Sequence, residues 1–255
     1  TVLHQSQAHD RAGPRMREGI ALATQLGEAG LAAAGQAILA FELATCRDFP
    51  GAETCVQAAL EISEAQDDDW VRSLALLSRG VAQALNGHHR EAEASMSAAL
   101  DCAALHGEFF HRGYALINRA LQRFYLGDTQ GAAQGWLSDL DVFFVRYQHW
   151  RGSAGCVEGA AYLAAGRGEY ECAVRFLAAA ARVRELTGAP LMPQWRKAQQ
   201  IAERKAQDAL GPELRQVQWA GASARFEDVV AEARAMLQEI AAQPVRTGAS
   251  NPSGS

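Results

Sequence analysis

Proline is scarce in this 255-residue chain, 7 in all, and runs of Val, Ile and Thr are missing. The first absence leaves long stretches without the residue that interrupts helices, and the second removes the β-branched segments from which sheets are usually built. Cys46, Cys55, Cys102, Cys156 and Cys172 form no CxxC pair and no compact disulfide framework, which points to a reducing, cytoplasmic compartment. Positive charge is not in excess: 24 basic against 29 acidic residues leave a formal net charge of -5 at pH 7. Without a basic stripe to neutralise phosphates, the chain is not expected to contact nucleic acid directly. No apolar run approaches the ~20 residues needed to cross a bilayer, which argues against a membrane span. The first residues also lack the regions of a secretory signal. The chain begins at Thr1 rather than Met, which fits excision from a larger protein or processing.

What is present is alanine in abundance, with recurrent Leu, Glu, Gln and Arg and 49% hydrophobic residues. That is a helix-forming composition with enough apolar surface for a sizeable core. The expected fold is all-α, organised as one helical-repeat domain over 1–243. Repeats fill about 12–188, a helical cap about 190–242, and a flexible tail 244–255.

A repeat of about forty residues carries this expectation. The segments NGHHREA, LGDTQGA and RGEYECA begin their turns at Gly87, Gly127 and Gly168, each followed five positions later by Ala92, Ala132 or Ala173. An earlier copy, CRDFPGA, ends at Ala52 and places Arg47 where the glycine belongs. Nine positions after the glycine lie Val56, Met96, Trp136 and Leu177, and thirteen after it lie Leu60, Leu100, Leu140 and Ala181. Those two positions are four apart and share one helix face, predicted here to be the interior face. Gly27, Gly107 and Gly188 are expected to end second helices, with acidic residues 67–69 replacing glycine in one copy. The layout is an opening helix at 12–26 and helix pairs at 31–45 with 51–65, 70–85 with 90–105, 110–126 with 130–146 and 150–165 with 170–186. Cap helices are expected at 193–210, 213–219 and 224–241.

Helix pairs joined by a Gly-x-x-x-x-Ala turn, over residues 31–186, resemble tetratricopeptide repeats with a longer period. The stretch AAAARVRELTGAPLMP followed by WAGASARFEDVVAEA is similar to the C-terminal region of MalT-like and LuxR-type multidomain bacterial transcriptional regulators. The match runs through Leu186, Gly188, Pro190, Trp219, Gly221, Glu227 and Ala231. The resemblance implies a right-handed superhelix of stacked antiparallel pairs, acting as an effector-sensing or protein-interaction arm. In the parent regulator it would adjoin nucleotide-binding and DNA-binding domains. No GxxxxGK[ST] loop is present, so ATP binding does not carry over and no cofactor is expected. The competing expectation is a passive adaptor or dimerisation scaffold.

In such an array the first helix of each pair lines the inner surface. That makes Arg79, Gln83, Tyr114, Asn118, Arg119, Gln122, Arg123, Tyr125, Glu158 and Tyr162 the candidate groove for a small-molecule effector or a protein segment. Arg79 and Arg119 are equivalent positions one repeat apart, and stacked guanidiniums can clamp a carboxylate; equally, they can pair with acids on neighbouring helices. Tyr114, Phe124, Tyr125 and Tyr162, with Asn and Arg, have the composition of an apolar pocket with polar orientation points, or of ordinary packing between repeats. Trp136 falls on the recurrent core position. The segment FFVRYQHW offers Phe143, Phe144, Tyr147 and Trp150 as a homodimer patch or as the plug of a long hairpin.

No catalytic or metal set emerges. His88 and His89 are adjacent in a turn, and His106 and His111 straddle a helix break, so neither pair has metal-ligand spacing; with His4, His9 and His149 they are expected to be solvated. Asp67, Asp68 and Asp69 lack calcium-loop spacing and fit a helix N-terminus instead.

Overall fold

The computed structural model describes the backbone of residues 2–106 and 109–243 and the side chains of 13–103 and 112–243. Gly107, the expected tail at 244–255, and the side chains of His4, His9, His106 and His111 lie outside the described residues. Among the described residues every regular element is a helix. After α1 (Val2–Gln25) come four pairs: α2 (Ala29–Thr45) with α3 (Phe49–Gln66), α4 (Asp69–Leu85) with α5 (His89–His106), α6 (Phe109–Tyr125) with α7 (Thr129–Leu140), and α8 (Trp150–Arg167) with α9 (Tyr170–Thr187). Three further helices follow, α10 (Arg196–Leu210), α11 (Leu214–Ser223) and α12 (Phe226–Ala241). No helix among the described residues is long and apolar enough to cross a membrane.

Each pair is punctuated where the repeat demands it. Gly87, Gly127 and Gly168 adopt φ of 84°, 83° and 83°, and Arg47 in the degenerate copy accepts φ 66°. Glycine enters this left-handed region without a Cβ clash, which is why three of the four turns use it. The second series is longer than glycine alone reveals. Gly27, Asp67, Gln148 and Gly188 all have positive φ, so Gln148 is the member of the series that carries no sequence mark. Asp48, Asp68 and Asp128 accept hydrogen bonds from the backbone N–H of Gly51, Val71 and Gly131 and so close the N-termini of α3, α4 and α7. The Asp67–Asp69 run therefore supplies both a turn residue and a cap.

The interior stripe differs by one residue from the expected one. Ala52, Ala92, Ala132 and Ala173 are fully enclosed, as are Val56, Met96 and Trp136, with Leu177 nearly so. Of the thirteenth positions only Leu140 is enclosed; Leu60 and Leu100 are partly exposed and Ala181 is exposed. The third member of the stripe is instead position twelve, occupied by Ala59, Ala99, Asp139 and Ala180, all without exposure. Positions five, nine and twelve follow the i, i+4, i+7 progression of one helix face.

Two further expectations are corrected. The opening helix starts at Val2 rather than near residue 12, which leaves Pro14 inside it. The helix expected over 130–146 is α only to Leu140 and continues as a π-helix from Asp141 to Arg146. Such a turn is rare and marks a local departure from the repeat.

Consecutive helices from α1 to α9 pack on one another, and successive first helices also touch: α2 meets α4, α4 meets α6, and α6 meets α8. Large side chains enter slots left by glycine. A Cβ at Gly159 of α8 would lie 2.3 Å from the Trp136 ring, and one at Gly113 or Gly152 would lie 2.2 or 2.5 Å from Phe143. The chain then folds back. α10 lies on α8 and α9, α11 on α9, and α12 on α7, α8 and α9. Gln130 of α7 donates to the backbone oxygens of Ala241 and Gln243 at 2.9 and 2.8 Å, which ties α12 to a helix more than a hundred residues earlier.

Candidate functional site

Several of the polar side chains expected to line a groove are engaged by the chain itself. Asn118 is fully buried on α6. Its Nδ2 donates to the Tyr114 carbonyl, and its Oδ1 accepts from Gln194 Nε2 at 2.9 Å and Trp195 Nε1 at 3.0 Å. The short Pro193–Trp195 turn thus presents an amide and an indole to an asparagine some 76 residues earlier. Gln122, also fully buried, accepts from His89 Nδ1 at 2.8 Å, which fixes the Nδ1–H tautomer, and the His89 ring stacks on Tyr125 at 4.4 Å. Glu158 of α8 receives both Nε and Nη2 of Arg184 from α9. Burial pushes the Glu158 carboxyl up, and the Arg184 guanidinium pulls it back. Such a two-pronged, charge-assisted pair locks one helix of the pair against the other.

The arginines serve between repeats rather than as a clamp. Arg79 Nη2 donates to Glu53 of α3 at 2.7 Å, and Arg123 Nε to Glu93 of α5 at 3.1 Å. Glu53 and Glu93 are themselves one repeat apart, so an acid on a second helix meets an arginine on the next first helix in two successive repeats. Gln83 accepts from Ser95 of α5 at 2.7 Å. Arg119 does not pair with the carboxylate that holds Arg79. Burial lowers its pKa first, Arg123 second, with Glu93, Asp139 and Asp101 opposing.

The aromatic candidates form a core rather than a cavity. Trp195 sits 6.2 Å from Trp136 and 6.0 Å from Tyr162, and Phe124 closes the group at 6.1 Å from Tyr162. Tyr162 is buried, its hydroxyl has no hydrogen-bond partner among the described residues, and burial holds it well above the usual phenol range. Tyr114 is partly buried against the cluster of Leu77, Val81 and Met96.

The proposed interface segment divides in two. Phe143 is buried in the glycine slot between α6 and α8, so it belongs to no surface. Phe144 packs edge-on against Phe226 of α12, and Trp150 stacks on the same ring at 5.7 Å. Of the four candidates Tyr147 and Trp150 retain substantial exposure, beside the exposed Val145, Arg146 and Gln148. The histidine expectation is also corrected in part: His89 bonds Gln122, and His149 Nδ1 accepts from Gly152 N–H to cap α8, with its pKa lowered by burial and by Arg151.

One residue to which the sequence assigned no role stands out. Asp139 is completely enclosed, and neither carboxylate oxygen has a hydrogen-bond partner among the described residues. Burial holds its carboxyl well above the usual range, against the pull of Arg119 and Arg112. The signal was available: Asp139 stands at the stripe position where the other three repeats carry alanine. It lies two residues before the π-helical turn, and the fully buried Cys156 thiol is raised by the same enclosure, with Asp139 adding to the effect. No group of three potential metal ligands occurs among the described residues.

Compared with family models, curated proteins and solved structures, the chain matches none.

Proposed function

We propose that this chain is a non-catalytic protein-interaction and relay module, a tetratricopeptide-like right-handed superhelix serving a multidomain transcriptional regulator. One observation carries the reading: Asn118, Gln122 and Glu158, the buried polar groups of the central first helices, are each bonded by the chain's own Trp195, His89 and Arg184. A face filled in this way works through its outer surfaces, and one set of exposed apolar side chains lies at its N-terminal end. Leu22 lies on α1 and Leu26 in the turn just after it, and Leu31 and Ile38 lie two turns apart on α2, all more than 40% exposed. Large exposed apolar side chains in a group mark contact surfaces for other proteins. The adjacent nucleotide-binding and DNA-binding domains of a parent regulator are the expected partners, with a passive adaptor or homodimer scaffold as the second form of the same reading.

Cross-linking mass spectrometry in the producing cell tests it. Links from α1 and α2 to another domain or chain are expected, and Leu31→Glu with Ile38→Glu should remove them while helicity and unfolding midpoint stay unchanged. An unchanged cross-link pattern in that variant would refute the surface assignment.

A further inference from the structure

The helices after the repeats leave a cleft that the reading above does not use. α10 and α11 both rest on α9 but barely touch each other, and the space between them is a cavity of about 520 Å³. We propose that this cleft binds a small organic cation with an apolar body, an aryl- or alkylamine.

Three helices each contribute one regular face. Val174, Leu177 and Ala181 of α9 form an apolar floor, Gln199, Glu203 and Gln207 of α10 form one wall at four-residue intervals, and Gln218 of α11 stands on the other side. The α10 wall runs for about 12 Å at the helical rise per residue. The cavity volume lies in the range of small-molecule sites, which combine apolar lining with a few polar groups that fix orientation. Gly221 lets α11 approach α9 closely beside the cleft, since a Cβ there would lie 2.6 Å from the Arg175 carbonyl oxygen.

Charge selects the ligand. Arg182 and Glu185 pair with each other at 3.1 Å and cancel. Glu203 accepts a hydrogen bond from Gln199 Nε2 at 2.8 Å, and no ion pair to it occurs among the described residues. The lining therefore keeps one uncompensated negative charge, flanked by amide oxygens that also accept hydrogen bonds. An ammonium has three donors and no acceptor, which suits that set, whereas a carboxylate or phosphate meets repulsion from Glu203. The aliphatic floor beneath it suits a ring or short hydrocarbon.

Isothermal titration of the whole chain with tryptamine, and with its uncharged analogue tryptophol, tests the proposal. Tryptamine is expected to bind in the sub-millimolar range and tryptophol about tenfold more weakly, the difference being one charge-assisted contact. Glu203→Gln should weaken tryptamine about tenfold and leave tryptophol unchanged, and Ala181→Trp should abolish both by filling the cavity. Glu203 and Ala181 are both exposed, so neither substitution threatens the fold. Absence of tryptamine binding at ~10 mM, equal affinity for the two compounds, or indifference to Glu203→Gln or Ala181→Trp would each overturn it. The cleft shares no residue with α1 or α2, so its failure leaves the interaction reading standing, and the reverse also holds.

Discussion

The first two repeats and the last two share a frame but fill it differently. Between α2 and α5 the interior consists of small separate clusters dominated by alanine, such as Ala33, Ala37, Ala59 and Ala75 in one and Ala40, Ala44, Ala52 and Val56 in another. From α6 onward a single cluster runs through the last two pairs into α12, anchored by Trp136, Phe143, Tyr162, Phe176 and Trp195. Alanine lets helices approach closely, and the clusters are bridged by partly buried residues such as Leu60 and Leu85. Large rings reach across several helices at once, so the C-terminal half behaves as one packed unit and also absorbs the buried polar residues. The same repeat position is an alanine in three repeats, Ala59, Ala99 and Ala180, and a buried acid, Asp139, in the third.

That contrast sets a scale for substitutions. Trp195→Ala is expected to have the largest effect, about 4 kcal/mol, since it opens a cavity among Trp136, Phe124 and Tyr162 and deprives Asn118 of a donor. Urea unfolding followed by far-ultraviolet circular dichroism should show the loss, and a decrease below that of Met96→Ala in the N-terminal half would contradict the single-core description. Arg184→Met comes next at about 3 kcal/mol, because it leaves Glu158 buried without its counter-charge. Its penalty should shrink in acid, where Glu158 takes up a proton; a penalty independent of pH would show that the pair matters through packing alone.

Asp139 sharpens the comparison in the opposite direction. Its carboxyl is raised by burial, so the folded protein retains a proton that the unfolded chain releases above about pH 4. The unfolded state then binds fewer protons, and stability falls as pH rises from there towards the folded-state value. Asp139→Ala, which writes the residue of the other three repeats into this one, should flatten that slope and stabilise the protein by about 2 kcal/mol at neutral pH. Urea midpoints measured from acid to neutral pH in both proteins decide the matter, and a variant less stable than the parent would show that Arg119 depends on the acid. The smallest effect belongs to a feature common to both halves: Asp128→Ala removes the α7 cap and should cost about 1 kcal/mol by thermal unfolding, as should Asp48→Ala at α3.

Much of the repeat was legible because its signals are local. Gly87, Gly127 and Gly168 announce their turns by needing a backbone conformation that other residues resist, and Ala92, Ala132 and Ala173 announce close helix contact by size. Gln148 went unseen because it adopts the same conformation with no glycine to mark it. The partners of the candidate groove residues were not legible in the same way. Arg79, Asn118 and Glu158 were correctly located on first helices, yet the identity of their partners depends on side chains brought in from other helices.

The helical class, the forty-residue period and most helix ends follow from the sequence alone, since each rests on interactions within four or five residues of the chain. That Asn118 would meet Trp195, that Phe143 would turn inward, and that α12 would return to α7 was decided only by the tertiary structure. Those contacts join residues separated by tens of positions, and their geometry is set by how closely every intervening helix packs, a quantity that no local pattern records.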